Sequence, residues 1–372
     1  VRGGYGIFYA SNMNEPVRKD LGNAYPFVIP ESFSRDSRNP NALTLSNAFP
    51  TGRMSIGGTT TGYGFEYDGP AQYLQSWNFT LERAVGSQAA VELAYAGSKG
   101  THLGRRYDIN QPLRGPGLRL PTGAWPRPFP DFGTVNFYSF CSNSSYQAGM
   151  ATFRRRFSRG AFYRVNYVYA KSIDESSQIA GSGNGSYGGA TDARNLKLDR
   201  GRADADIRHS FTVSFSYELP SRFGRWLRGW RLSGNSRMYS GQPFTPQWSD
   251  ADLDAGESNR PDRITHGSLP NPTADRWFDI TAFAPVPAGA YRFGNSGRNI
   301  LDAPGFISLN AGIMRSFTLI EKHRLQFRME AFNVTNHPNL RLPEVNVNRP
   351  AAGVIRSAGS PRNMQAALRY EF

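Results

Sequence analysis

Residues 361–372 read Pro-Arg-Asn-Met-Gln-Ala-Ala-Leu-Arg-Tyr-Glu-Phe. From residue 363 onward Met364, Ala366, Leu368, Tyr370 and Phe372 hold the even positions, while Asn363, Gln365, Arg369 and Glu371 fall on odd ones. A two-residue period sends alternate side chains to opposite faces of an extended chain, so this is a strand with one apolar face. The apolar face continues to the last residue, an aromatic one.

The same pattern recurs upstream. Tyr5, Ile7 and Tyr9 mark a first strand; Trp77, Phe79 and Leu81 a second; Val91, Leu93 and Tyr95 a third; Gly149, Ala151 and Phe153 a fourth. Tyr163, Val165, Tyr167 and Tyr169 mark a fifth. The sixth, over 207–219, is the cleanest: Ile207, His209, Phe211, Val213, Phe215, Tyr217 and Leu219 alternate without error against Arg208, Ser210, Thr212, Ser214, Ser216 and Glu218. Trp230, Leu232 and Met238 carry a weaker seventh, with Arg231 on its polar side. Ile307, Leu309, Ala311 and Ile313 carry an eighth, and Leu325, Phe327, Met329 and Ala331 a ninth. The phase slips at Phe332, as a bulge or a strand end produces.

The connections between these ten segments alternate strictly between long and short. The long ones cover about 11–71, 97–144, 172–205, 242–304 and 337–360. An up-and-down antiparallel sheet with every long loop at one end and every tight turn at the other is the layout of a transmembrane barrel. A strand of ten or eleven residues, at ~3.3 Å per residue and tilted ~40°, covers roughly 25 Å, the height of the apolar band such barrels present to lipid. The expectation is therefore an all-β, antiparallel, up-and-down transmembrane β-barrel portion over 1–372, without a separate second domain. It sits in a bacterial outer membrane with its long loops outside and its C-terminus periplasmic. The segment 97–144 carries Pro112, Pro116, Pro121, Pro126, Pro128 and Pro130 and is expected to lie outside the regular sheet.

Composition agrees. The 372 residues include 39 Gly, 25 Pro, 18 Tyr and 25 Phe, which favours strands and turns. No run approaches ~18 apolar residues, which excludes a spanning helix. A mean hydropathy of −0.52 is compatible with strands that alternate. The single cysteine, Cys141, allows no internal disulfide and is expected to be an inert loop residue. The net charge of +14 comes from 43 Lys and Arg against 29 Asp and Glu. These basic residues are spread along the chain rather than gathered on one stripe, which argues against a nucleic-acid partner. The opening Val-Arg-Gly-Gly-Tyr-Gly has no initiator Met and no signal-peptide pattern, so the sequence reads as a downstream piece of a longer precursor.

Several pieces then carry a resemblance: Arg-Gly-Gly-Tyr-Gly-Ile-Phe-Tyr at 2–9, Tyr-Ala-Gly-Ser-Lys-Gly-Thr-His at 95–102, Phe-Arg-Arg-Arg-Phe at 153–157, Ala-Asp-Ile-Arg-His at 205–209, Ser-Gly-Gln-Pro-Phe at 240–244, Phe-Asn-Val-Thr-Asn-His-Pro-Asn at 332–339 and the terminal Leu-Arg-Tyr-Glu-Phe. In this order, over nearly the whole chain, they resemble the C-terminal barrel portion of TonB-dependent outer-membrane receptors, nearest the Oar-like group abundant in acidobacteria. The resemblance implies part of a barrel of about 22 strands. It also implies a plug domain and a TonB contact upstream of residue 1, and a receptor that binds an extracellular ligand for uptake. Leu368, Tyr370 and Phe372 look like the family's assembly signal, read by the barrel-assembly machinery.

The remaining candidates follow from the residues. Arg222, Arg225, Arg228 and Arg231 recur every third position and interleave with Trp226 and Trp230. They suit an interfacial girdle at the turn end, with indoles at headgroup depth and guanidinium groups toward lipid phosphates. Arg154, Arg155 and Arg156 read the same way. Arg208, Glu218, Arg324, Arg328, Glu330, Arg369 and Glu371 fall on polar faces and would face the lumen, either lining a solute path or bridging neighbouring strands. Asp250, Asp252, Asp254 and Glu257 do not form an EF-hand, because the glycine is displaced to Gly256 and the twelfth position is Pro261. The glycine-rich stretch 181–189 does not join a strand to a helix and offers no phosphate cradle. The five histidines, His102, His209, His266, His323 and His337, lack metal-ligand spacing, and there is no nucleophile elbow. No catalysis, metal or cofactor is expected. The rival to a receptor is an outer-membrane adhesion or structural barrel without transport, and more remotely a secreted all-β binding protein.

Overall fold

A computed structural model describes residues 1–10, 22, 60–158, 160–177, 190–220, 224, 226–248, 259–320 and 323–372. Its strands are β1 (Arg2–Ala10), β2 (Thr60–Phe65), β3 (Gln72–Val85), β4 (Ala89–Asp108), β5 (Phe132–Ser158), β6 (Ala161–Asp174), β7 (Gly201–Arg202) and β8 (His209–Glu218). They continue with β9 (Arg231–Tyr239), β10 (Pro243–Phe244), β11 (Asp262–Arg263), β12 (Phe283–Ala284), β13 (Leu301–Asp302), β14 (Phe306–Ile320), β15 (His323–Phe332) and β16 (Asn363–Glu371). Ten of them form one meander, in the order β1-β3-β4-β5-β6-β8-β9-β14-β15-β16, every neighbouring pair antiparallel. These are the ten strands the alternation marks. The tight turns gather at one end, where Gly86 and Gly160 take the left-handed backbone region. The phase slip at Phe332 is the end of β15, followed by Asn333 at a φ of 50°.

The register keeps one face mainly apolar and the other polar across all ten strands, with charges such as Arg83, Arg155 and Arg315 entering the apolar face near the turn end. Tyr5 faces Trp77, which faces Gly97; Phe153 faces Val165, then Val213; Ile313 lies between Leu232 and Met329; Leu368 faces Phe327. These residues share the apolar face. The other face carries Arg2, Glu82, Glu92, Arg154, Arg164, Glu218, Arg231 and Arg328 at matching positions. The apolar side chains are open to the surroundings, Tyr5 at 63% and Leu368 at 67%. In water such a continuous apolar surface costs about 25 cal/mol per Å², so hydrocarbon is the solvent it fits.

Above this band the structure departs from the expectation for 97–144. β4 runs 20 residues and β5 runs 27, so the sheet includes 97–108 and 132–144, and only 109–131, with all six prolines, lies outside it. At ~3.3 Å per residue and ~40° tilt, β5 stands about 40 Å beyond a 25 Å apolar band. Strict alternation needs an apolar environment on one side. Beyond the bilayer that condition lapses, and two irregularities between Gly100 and Arg105, with His102 at a φ of 56°, shift the phase as well.

The long connections are likewise not plain loops. Within 11–71, β2 pairs parallel with the protruding part of β5. In 172–205, β7 returns to pair with β6. Residues 242–304 supply the pairs β10–β13 and β11–β12 and, with 337–360, a small core of Phe244, Phe278, Phe283, Leu301, Val345 and Val347. The result is a packed cap over the loop end. No described helix is long and apolar enough to cross a membrane.

Candidate functional site: the polar face and the loop cap

The polar face is bonded across strands rather than merely hydrated. Arg2 on β1 reaches Glu82 on β3 at 3.1 Å and Glu92 on β4 at 3.0 Å, and Arg154 on β5 also pairs with Glu82, so Arg154 belongs to this face and not to the lipid-facing girdle expected of it. Further along, Thr152 Oγ1 donates to Asn166 Oδ1 at 3.0 Å, and Asn166 Nδ2 donates to Thr212 Oγ1 at 3.1 Å, linking β5, β6 and β8. Of the lumen candidates, Glu218 pairs with Arg231 at 3.3 Å, Arg328 pairs with Glu330, and Glu330 accepts from Gln365 at 2.6 Å. Arg369 pairs with Glu371 at 3.2 Å, and Arg324 stands opposite Glu371 in the register. Arg208 departs from this group. It precedes β8, and its guanidinium lies 5.9 Å over the ring of Tyr169, an apolar-face residue, with Asp206 at 3.4 Å.

At the turn end Trp230 Nε1 donates to the Trp226 carbonyl at 3.1 Å, and Trp226 is 83% exposed. Arg228 is exposed beside them, while Arg222 and Arg225 lie outside the described residues. The cation that packs there is Arg315, unremarked in the sequence. It donates to the Trp226 carbonyl at 2.6 Å and covers the rings of Trp230 at 5.8 Å and Phe317 at 4.6 Å. Its signal was a charge on the apolar face between Ile313 and Phe317. Tyr370 shares a hydrogen bond of 2.6 Å with His323 and stacks on Phe372 at 6.0 Å, so the terminal aromatics join the same end of the sheet.

The cap holds a buried ionic knot centred on Asp199, at the end of a 3-10 turn over Leu196–Asp199. Arg105 from β4 pairs with its carboxylate, Arg260 reaches it at 3.0 Å, and Thr191 donates to it from both Oγ1 and backbone nitrogen. Arg298 donates to the Asp199 carbonyl at 2.8 Å and pairs with Asp174 at the top of β6. Asn299 bonds the Arg202 carbonyl and Asp204. All of this falls in stretches that alternation left as loops, because a polar core has no period to read.

Burial pushes the Arg260 guanidinium pKa below its ordinary value; Asp199 opposes the change, and Arg298 and Arg105 add to it. At the cap surface Arg292, bidentate to Asp262 at 2.6 Å, holds that carboxyl below its usual range. Two cavities open here. One, of about 530 Å³, lies where Phe211, Met238 and Ile307 of the apolar face meet Trp277, His337 and Leu340. The other, of about 670 Å³, is lined by Arg114, Asp192, Arg194, Tyr291, Arg292 and Phe293 among others.

The acidic run 250–257 and the glycine-rich stretch 181–189 lie outside the described residues. Among the described residues no three of His, Cys, Asp and Glu group to hold a metal ion. Cys141 is exposed and lies on β5 rather than in a loop, because β5 extends beyond the apolar band, and it takes a bond from Ser139 at 3.0 Å.

The chain is similar in structure to the outer membrane transporter YddB from Escherichia coli, with a TM-score of 0.47 and 10% identity, over 84% of this chain and 35% of that one. It is also similar to FpvAI in its complex with pyocin S2, with a TM-score of 0.40 and 10% identity over 82% of this chain and 27% of that one. A third likeness is to P. aeruginosa FpvA bound to heterologous pyoverdines, with a TM-score of 0.40 and 11% identity over 82% and 28%. The chain thus spans about a third of the length of these solved structures. No curated protein matches it. A family model described as an outer membrane beta barrel domain matches residues 1–365. With ten meandering strands, one mainly apolar face and a model match over nearly its full length, the chain belongs to the outer membrane beta barrel domain family.

Proposed function

We propose that this chain is the C-terminal barrel portion of an outer-membrane receptor of the TonB-dependent, Oar-like kind, which captures a ligand in its loop cap and takes it up. The observation that carries the reading is the asymmetry of the two ends. The turn end has tight connections, while the loop end carries a cap with its own apolar core and ionic knot. A purely structural barrel has no use for an ordered, cavity-bearing cap. In this reading the polar face lines the lumen, where Arg2, Glu82, Glu218, Arg328 and Glu330 bound a solute path or seat a plug.

Trp226, Trp230, Arg228 and the added Arg315 form the periplasmic girdle against lipid headgroups, and the sequence assigns Arg222 and Arg225 to it. Leu368, Tyr370 and Phe372 serve as the assembly signal for the barrel-assembly machinery, with the C-terminus periplasmic. The ten strands make up part of a larger closed barrel, and TonB acts through an upstream plug.

The test uses the full-length gene product in its native cell. Added protease should cut within the cap and leave a C-terminal epitope intact. Deleting 242–304 should abolish solute uptake and leave the barrel inserted, and discharging the proton-motive force should do the same. Cap deletion that removes only cell attachment, with uptake unchanged, would sink the receptor reading in favour of adhesion.

A further inference from the structure

The cavity of about 670 Å³ is walled by three separate loop stretches, which bring Arg114, Arg194 and Arg292 together. Its size suits a drug-sized ligand. The guanidinium carbon of Arg114 lies 5.6 Å from the Phe293 ring centroid, and Arg194 spends Nη2 on the Gln111 carbonyl at 2.6 Å. Arg292 is neutralised by Asp262. Asp192, the lining carboxylate, accepts from the Arg194 backbone N–H at 2.9 Å. Tyr291 stands edge-on to Trp125 at 5.8 Å, and Arg119 covers Trp125 at 5.2 Å.

Behind the Leu198 wall, whose carbonyl accepts from Arg260 at 3.1 Å, the Arg260 side chain is 2% exposed, and its Nε and Nη1 have no acceptor. Burial first of all lowers its pKa, Asp199 opposes the change, and Arg298 and Arg105 add to it. Aromatic rings beside forked cations are a chemistry with a recognisable complement. Sugar C–H faces lie on the rings, and carboxylates match the planar guanidinium groups.

We propose that this cavity binds an acidic saccharide, its hexose rings against Tyr291 and Phe293 and its carboxylates toward Arg114 and Arg194. The inference rests on the ligand-capturing role proposed above and names the ligand class.

The experiment titrates the intact, detergent-solubilised protein with trigalacturonate, neutral maltotriose and inorganic phosphate by calorimetry. Saturable binding of trigalacturonate is expected, weakened about tenfold by Arg114→Gln or Arg194→Gln, the effect of one charge a few ångströms away at intermediate dielectric. Those arginines also hold the loops, so a second pair of variants separates charge from folding. Leu198 lines the cavity with an exposed side chain, so Leu198→Glu should weaken binding and Leu198→Lys should tighten it. Maltotriose binding as tightly as trigalacturonate would overturn the acidic class. Phosphate binding as tightly would overturn the saccharide, and no binding of any probe would overturn the site. Uptake is scored separately in cells: binding without uptake removes the transport reading alone, and uptake of another solute without trigalacturonate binding removes this inference alone.

Discussion

Asp199 is the residue on which the cap depends most. It neutralises Arg105 and Arg260, both nearly excluded from solvent, and receives Thr191 twice. Removing one partner of a buried pair strands the other charge at about 3–5 kcal/mol. Asp199→Ala should therefore open the cap to proteases at temperatures where the strands stay folded, and limited proteolysis followed by mass mapping would reveal cuts in 190–200 and 259–300. Acid acts on a different set. Arg292 holds the Asp262 carboxyl below its ordinary value, and Thr281 does the same first for Asp279. A carboxylate with a depressed folded pKa contributes stability that is complete above its unfolded value of about 4 and is lost as pH falls through the folded one. Pepsin sensitivity of the cap should rise between about pH 4 and pH 2; a cap equally resistant at both ends would contradict the role of these pairs.

Within the elements, glycine positions separate close packing from open sheet. A Cβ on Gly234 of β9 would lie 2.7 Å from the Asn310 carbonyl of β14 and 2.8 Å from the Phe215 ring of β8, whereas Gly149 on β5 has nothing within 4 Å. Gly234→Val should lower the yield of the heat-modifiable folded band on gels, and Gly149→Val should leave it unchanged. Equal yields would show that β8, β9 and β14 can spread apart. The strand positions themselves were legible, because hydrocarbon on one side imposes the period of two that Phe211, Val213 and Phe215 display. The upper parts of β4 and β5 were not. There Arg105 is buried by ion pairing rather than by apolar contact, and β2 finds its partner across about seventy residues, a pairing no local pattern announces. Likewise the spacing of Trp226 and Trp230 brings out the pair proposed for a girdle, while Arg315 needed the register to place it beside them.

For the whole molecule, the two faces of the sheet predict opposite tolerance. Val213 and Thr212 are neighbours on β8 with opposite directions and equivalent depth. With lipid on the Val213 side, Val213→Arg should cost about 2–4 kcal/mol and Thr212→Arg little. Denaturant unfolding in bilayers measures both, and equal costs would remove the lipid and lumen assignment of the faces. A meander is mechanically a row of hairpins, each held only to the next, and such a row bends and shears readily at its free rim. The knot of Arg105, Asp174, Asp199, Arg260 and Arg298 ties β4 and β6 to the connection that follows β9, joining residues as far as 124 apart in sequence. It works as a hitch works on ropes: three stretches of chain that no strand pairing joins are lashed at one point, and loosening it frees them from one another without undoing a single ladder of the sheet.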